Sequence, residues 1–448
     1  MSCGFLKRAG FQVSWNPAFY TIATVVFEQK GDTMYKLPGY TVFFEENNVI
    51  YVSSKLYQNT IKITDKELQD EFHSILRHGG CETLSSPLTN LLYKQGMIAT
   101  TEEIQANLRQ AQQLLEKTLI LTIMPTEGCN FRCIYCYEEH TSINMQRETI
   151  DQILAYIERE APKYETVKIG WFGGEPTLCK DVVLEISSFT QKLAEKYGFC
   201  FESSMTTNGY LLDIHSFEEY YQVGIRSYQV TLDGWEHDRM RSHVTGKGTL
   251  DVILQNLIDL SQLSKDKCQF EVCIRHNILL RDNDMSWYDH LYKLFGADSR
   301  FSILVHPIDD WGGESVKKLD LSSYHGLGDT IAKHIRYLEA IGMRHANHTE
   351  EPFSQICYAS FPHSMVFRAS GRIEKCTVAL DHPKNQLGYV DAQKGIVLDE
   401  TMNRLWSSYP IKTECVSCAQ ALSCLNLSCK RNTVLYGASN CNYICAYQ

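Results

Sequence analysis

No stretch of this chain approaches the roughly 18 consecutive apolar residues that a membrane-spanning helix needs, so no membrane partner is expected. The opening run, MSCGFLKRAGFQVSW, lacks an apolar core followed by a small-residue cleavage site. That argues against a secretory signal and for a cytoplasmic protein. Positive charge is in deficit: 43 Lys and Arg face 53 Asp and Glu, for a formal charge of −10. Nucleic acid is a poor partner for such a chain, because phosphate binding relies on clustered Lys and Arg. The P-loop, GxSxG and HExxH patterns are missing, so phosphoryl transfer, serine hydrolysis and zincin chemistry find no support. Also missing are a repeat at solenoid spacing and a low-complexity tract.

What is present is an ordinary folded composition, 44% hydrophobic and 21% charged, with one outlier. Seventeen cysteines in a chain without an export signal point to metal or redox roles, since disulfides are rare in reducing compartments. Three fall between positions 129 and 136 and eight after position 356. Cys3, Cys81, Cys179, Cys200, Cys268 and Cys273 are scattered.

The 448 residues allow about three domains, and three regions can be read. In residues 1–112, TVFFEENNVIYVSS alternates in two runs around EENN and reads as a hairpin. A helix is expected in ITDKELQDEFHSILRH, where Leu68, Phe72 and Ile75 share a face and Thr64 and Glu67 form a capping box. ETLSSPLTNLLYKQGMI suggests a further short helix, and the polar segment TTEEIQANLRQAQQLLEK leads on. Residues 113–340 alternate strand and helix signals, with strands expected at 119–125, 166–172, 201–207, 227–233, 270–280 and 301–307. In the first helical run, Ile150, Ile153, Leu154 and Ile157 form one apolar face. Six such units imply an α/β fold with a parallel sheet, either open or partly closed into a barrel, whose chemistry gathers at the C-terminal strand ends. Residues 341–448 are cysteine-rich with few long periodic segments, a composition that usually needs metal or disulfide staples.

After the first expected strand comes EGCNFRCIYCYEEH, which places Cys129, Cys133 and Cys136 on one short loop. Three thiolates can hold three irons of a [4Fe–4S] cluster and leave the fourth open to chelate a methionine moiety. Structural zinc prefers four ligands, and no fourth follows at the usual spacing. This motif resembles that of the radical S-adenosylmethionine (SAM) superfamily, and the resemblance extends down the chain. WFGGEP looks like the family's GGEP element, which implies that Gly173, Gly174, Glu175 and Pro176 border the methionine amino group. TTNG and TLDG end the third and fourth strands, and the resemblance implies cofactor contacts from Asn208 and Thr231. Tyr135 takes the position whose backbone usually meets the adenine. Arg241, in HDRMRS, is either a contact to the cofactor carboxylate or a solvated surface residue, while Cys179, Cys268 and Cys273 read as packing residues.

The tail places Cys357, Gly371 and Cys376, then Cys415, Cys418, Cys424 and Cys429, and finally Cys441 and Cys445. It resembles the SPASM extension of radical SAM peptide maturases, except that four residues separate Cys424 from Cys429 where three are usual. The resemblance implies two auxiliary clusters, three [4Fe–4S] clusters in all with SAM as the further cofactor. Cys357, Cys376 and Cys429 would serve the first, and Cys415, Cys418, Cys424 and one of Cys441 or Cys445 the second. An open iron at the first is one reading; ligation by both last cysteines is another, and structural zinc a third.

The expected architecture is therefore a partial (β/α)6 TIM-like radical SAM barrel over residues 113–340, between a winged-helix-like domain at 1–112 and a cysteine-rich SPASM domain at 341–448. By analogy the front domain would take the leader of a ribosomally made precursor peptide as an added strand. The expected activity is modification of that peptide, by a cysteine thioether or carbon–carbon crosslink, with electrons from a donor such as ferredoxin or flavodoxin. Anaerobic sulfatase maturases share the architecture but carry Asp where this chain has Thr377, which weighs against that alternative. The other alternative is a non-catalytic iron–sulfur electron carrier. The sequence singles out no catalytic side chain.

Overall fold

The alternation of residues 41–54 becomes a hairpin in the computed structural model, which describes residues 34–438 apart from 280–281, 283, 320, 322–326 and 348–353. Cys3, Cys441 and Cys445 lie outside the described residues. Strands β1 (Thr41–Glu46) and β2 (Val49–Ser54) meet at Asn47 and Asn48, both at positive φ, 51° and 61°. Two such residues give a tight loop the twist its strands need, and Asn tolerates that conformation. Strand β3 (Asn59–Ile63) completes an antiparallel sheet in the order β1-β2-β3. Helices α1 (Lys66–His78), α2 (Pro87–Lys94) and α3 (Thr101–Gln113) follow. Val52, Ile63, Phe72, Ile75, Leu88 and Leu92 form the core between sheet and helices.

Two local expectations are corrected here. The cap of α1 is Asp65, whose carboxylate accepts the Leu68 N–H, so the Thr64–Glu67 box is one residue out of phase. The polar segment after residue 99 is helical for 13 residues, with a capping box between Thr100 and Glu103. Its buried stripe is only Ile104, Leu108 and Ala111, so polar composition masked the period. This first compact unit runs to Leu115 and also takes in the described residues of Glu350–Cys357 and Ser408–Cys429.

The second unit takes Glu116–Thr349, Tyr358–Ser407 and Lys430 onward. In chain order its first strands and α-helices are β4 (Thr118–Ile123), β5 (Phe131–Cys133), α4 (Arg147–Glu160), β6 (Thr166–Trp171), α5 (Lys180–Tyr197) and β7 (Cys200–Thr207). There follow α6 (Ile214–Gln222), β8 (Ile225–Thr231), α7 (His237–Met240), β9 (Arg241–His243), α8 (Leu250–Ser261) and β10 (Glu271–Ile278). Then come α9 (Ser286–Phe295), β11 (Phe301–Pro307), α10 (Leu327–Ile341), β12 (Ser364–Phe367), β13 (Arg372–Glu374), β14 (Gln386–Asp391), β15 (Gly395–Leu398) and α11 (Glu400–Ser407).

Six strands run parallel in the order β4-β6-β7-β8-β10-β11, the arrangement of a partial barrel with crossover helices. Alternate residues such as Val167, Ile169 and Trp171 are buried in one core with the helices. In α4 the expected face forms, although Tyr156 is buried and Leu154 only partly so. Beyond β4 the sheet continues: β12 pairs with it in parallel, and β13, β14 and β15 add on antiparallel. Residues read from sequence as one cysteine-rich region are therefore shared between both units. The run SMVF of β12 is too short for its period to declare itself. Among the described residues no helix is long and apolar enough to cross a membrane.

Buried histidines give the second unit an acid sensitivity. His276 bonds Tyr288 through Nδ1 at 2.9 Å, and Tyr288 reaches His334 at 2.7 Å. Burial lowers the pKa of His276 to about 3, with His334 adding to the effect. The unfolded chain therefore takes up a proton below about pH 6.5 that the folded chain refuses until about pH 3, so stability is complete above this window and lost as pH falls through it. Between pH 7.0 and 5.5 this one residue accounts for about 1.2 kcal/mol. Denaturant midpoints at the two pH values should converge by that amount in His276→Asn relative to the parent; equal acid losses in both proteins would refute the assignment.

Candidate active site

The GGEP turn is built against the loop that carries the three cysteines. Gly174 N–H donates to the Thr126 carbonyl at 3.2 Å and Glu175 N–H to the Gly128 carbonyl at 2.9 Å. A Cβ on Gly174 would stand 2.1 Å from the Gly128 oxygen, so this backbone contact admits only glycine. Gly173, at φ +114°, would bring a Cβ to 2.6 Å from the Thr126 oxygen. Glu175 caps the one-turn helix Pro176–Cys179, with Pro176 at its first position. Its buried carboxylate accepts from Thr177 N–H at 3.1 Å, the Thr177 and Thr207 hydroxyls at 2.6 Å each, and Asn208 N–H at 2.7 Å. Glu175 thus staples the ends of β6 and β7, and Oε2, with one donor, keeps capacity for another. Burial pushes its pKa up against these four donors. Asn208 Nδ2 donates to Asn130 Oδ1 at 2.8 Å, beside Cys129, and Thr231 is buried at the end of β8.

The cysteine loop is clamped from a second side. Strands β5 and β9 pair antiparallel with Cys133 opposite Arg241, flanked by Ile134 N–H to Met240 O at 3.0 Å and Val244 N–H to Asn130 O at 2.8 Å. The Tyr135 hydroxyl donates to Asp233 and accepts from Arg241 Nη1 at 2.8 Å and Asn277 Nδ2 at 3.0 Å. Asn277 also donates to Asp233 from its backbone at 3.0 Å. Arg241 is 7% exposed with Nε unpartnered, which overturns the solvated-surface reading. Asp233 and Asn277 escaped the sequence analysis, although Asp233 lies inside TLDG.

Burial raises the pKa of all three thiols, that of Cys129 to about 12; at Cys136 the charges of Glu138, Cys133 and Cys129 add to burial, while Arg241 opposes the rise at Cys133. They stay protonated at neutral pH unless a cation claims them, and as thiolates three soft sulfurs suit iron of a cluster. Cys133 and Cys136 line a cavity of about 300 Å³ together with Glu138, His140 and Lys318. Burial pushes the Glu138 pKa up to about 7, with Arg368 opposing and Glu127 and Glu175 adding. Glu138 too was missed, since nothing in YEEH marks it.

Of the tail cysteines, Cys376 belongs to the second unit, and Cys357, Cys415, Cys418, Cys424 and Cys429 to the first. Cys357 N–H donates to Leu427 O at 3.0 Å, which places it beside the Cys424–Cys429 loop. Cys376 is buried, with Asn385 accepting its N–H and donating to its carbonyl, both at 2.8 Å. Arg368 ties this strand to the first cysteine loop: Nε donates to Glu127 at 3.0 Å, and Nη1 meets Glu374 at 3.4 Å and Asp381 at 2.8 Å. Cys179 contacts Asn144 at 3.7 Å, and Cys273, expected in the core, is half-buried on the opposite face of β10 from Val272 and Ile274. Among the described residues no three His, Cys, Asp or Glu side chains converge on a single-ion site. The ligands of a cubane each take their own iron and need not converge.

Residues 123–293 match the family model of the Radical SAM superfamily. The GTP 3',8-cyclase of Clostridium perfringens (strain SM101 / Type A) is 29% identical over 166 residues, 36% of this chain and 45% of that protein. The GTP 3',8-cyclase of Clostridium botulinum (strain Hall) is 26% identical over 217 residues, 48% of this chain and 63% of that one. The chain thus spans about half the length of the curated relatives it matches. In fold it is similar to native anSMEcpe with bound AdoMet, at a TM-score of 0.53 and 19% identity, over 73% of this chain and 94% of that one.

Proposed function

Because this chain carries a radical SAM domain over residues 123–293, we propose that it cleaves SAM reductively and modifies a ribosomally made precursor peptide by a cysteine thioether or carbon–carbon crosslink. The observation that carries the SAM chemistry is the three-thiol loop locked to GGEP through Gly174 and Glu175. A reduced [4Fe–4S] cluster bound by Cys129, Cys133 and Cys136 would supply the electron that breaks the sulfonium carbon–sulfur bond to give a 5′-deoxyadenosyl radical. Within the chain, the free capacity of Glu175 Oε2 and the turn of Gly173, Gly174 and Pro176 would orient the methionine amino group. The backbone at Tyr135 would meet the adenine, with Asn208 and Thr231 as further contacts. Arg241, held beside Cys133, supplies the positive charge that a thiolate-bound site needs.

Two features support the peptide reading. The front unit offers β1 as a sheet edge on which Phe43 and Phe44 are each 43% exposed, a surface suited to an added strand. Six tail cysteines lie among the described residues, enough to serve two auxiliary clusters together with Cys441 or Cys445. The domains would then divide the work as recognition over residues 1–112, radical chemistry over 113–340 and auxiliary clusters over 341–448. A second reading, a nucleotide substrate, is favoured by the GTP 3',8-cyclase names of the curated relatives.

Anaerobic reconstitution should give about twelve irons per chain and 5′-deoxyadenosine on adding dithionite and SAM. Co-expression with a short cysteine-containing peptide encoded alongside should lower that peptide's mass by two hydrogens. Absence of 5′-deoxyadenosine would defeat the SAM chemistry; consumption of GTP with the peptide unchanged would favour the second reading.

A further inference from the structure

Alternation along the barrel strands leaves an inner face opposite the helix-packed core. Gly170 lies on it, with Thr122 and Ser204 hydroxyls 3.7 and 3.8 Å from where its Cβ would stand. In β10, Val272, Ile274 and His276 are buried towards the helices, whereas Cys273 and Arg275 keep part of their surface open on the other face. Arg275 sits in register with Thr231 of β8 and Leu304 of β11, near the C-terminal mouth where the cysteine loop lies.

Its guanidinium is held but not neutralised. Nε donates to Asn277 Oδ1 at 2.8 Å, and Nη2 contacts His306 Nδ1 at 2.9 Å. His306 is neutral, because burial and then the Arg275 charge push its pKa to about 3. Nη1 makes no hydrogen bond among the described residues, and none of their carboxylates forms an ion pair with Arg275. Other buried arginines differ. Arg300 pairs with Asp298 at 2.7 Å, Arg368 with Glu127 at 3.0 Å, and Arg241 reaches Asp233 through Tyr135. Burial pulls the Arg275 pKa below its ordinary value despite Tyr135, Tyr137 and Asp233 nearby, whereas at Arg241 and Arg368 the negative groups outweigh burial and hold the pKa above its ordinary value. A desolvated cation with no carboxylate in direct contact is costly, and an arriving carboxylate relieves the cost while gaining a charge-assisted fork.

We propose that Arg275 is a substrate-binding residue that receives a carboxylate of the peptide, an acidic side chain or C-terminus next to the modified position, inside the barrel. The proposal rests on the peptide reading above. Asn277 fixes the fork from one side and is itself tied to Tyr135 and Asp233, so the anion would be placed relative to the cysteine loop. The methionine end of SAM offers the same chemistry, and the experiment separates the two sources.

The probes are the labelled tripeptides Ac-Gly-Glu-Gly-NH2 and Ac-Gly-Gln-Gly-NH2, measured by equilibrium dialysis against the reconstituted, SAM-loaded protein. The parent should bind the Glu peptide more than about tenfold tighter than the Gln peptide, the range of a hydrogen bond to a charged group. Arg275→Gln should reduce that preference below about twofold, and Arg275→Lys, which keeps the charge, should retain part of it. Iron content and far-UV circular dichroism matching the parent establish that the variants are folded. Equal binding of both peptides by the parent would overturn the proposal, as would an undiminished Glu preference in Arg275→Gln. Loss of SAM affinity in that variant with the peptide preference intact would assign the carboxylate to the cofactor, also against us. Release of 5′-deoxyadenosine by the parent is scored separately, so failure of the SAM chemistry is not confused with failure at Arg275.

Discussion

Cys133→Ala is expected to lower 5′-deoxyadenosine release by more than about 10³-fold and to remove about four irons per chain. Loss of an outer-shell partner alone costs 10–100-fold in metal affinity or activity, and loss of a ligand to a cluster held by only three thiolates costs more. No spare thiol stands on the loop: Cys129 and Cys136 are the other two, and both are already assigned. The consequence should also be local to chemistry, because β5 holds Cys133 through backbone pairing with β9, which alanine preserves. The variant should therefore keep the parent's far-UV spectrum. Cys268→Ala, which removes a half-buried thiol outside the motif, serves as the control and should keep its iron. A Cys133→Ala protein that still releases 5′-deoxyadenosine, or a parent protein that takes up zinc in place of iron, would end the cluster assignment.

The second large effect is structural. Arg368→Met should destabilise the second unit by about 3–5 kcal/mol, the usual cost of removing one partner from a buried ionic group. Glu374 is wholly buried and Glu127 is 6% exposed, so both carboxylates would be stranded away from water. Burial already raises the Glu374 pKa, with Arg368 as the largest opposing influence. Adding Glu374→Gln should recover part of the loss, and the resulting double-mutant cycle, read from denaturant midpoints, measures the pair directly. Simple additivity of the two losses would show that the residues do not interact. Since Glu127 lies two residues before Cys129 and Glu374 two before Cys376, iron retention is expected to suffer as well.

The barrel was legible because strands such as β6 run apolar into a glycine-bearing turn, and helices such as α5 carry an apolar stripe. The three-thiol loop and GGEP were legible because cysteine spacing and paired glycines are rare by chance. Less could be seen where contacts join distant segments. The partner of Gly174 is the Gly128 carbonyl, so a motif read as approaching a ligand is fixed in this structure by its own backbone. The Tyr135–Asp233–Asn277–Arg241 network draws on four strand ends, and Asn277 has no local signature. Arg368 and Glu374 are an unremarkable pair in sequence, and only the return of the chain to β4 brings them to Glu127. Helix α3 was missed for a different reason: its buried stripe is only Ile104, Leu108 and Ala111, about one apolar residue per turn.

The pairing of β12 with β4 has a bearing on how the polypeptide comes off the ribosome. The flank of the first barrel strand waits for residues made roughly 240 positions later, an interval of tens of seconds at ordinary elongation rates. For that time an apolar ribbon with open amide groups is available to any passing chain, which makes nascent molecules vulnerable to sticking and favours hosts that supply a holding chaperone. Fragments ending before Ser364 should for the same reason accumulate as aggregates, while the full-length product, its seam closed, stays dispersed.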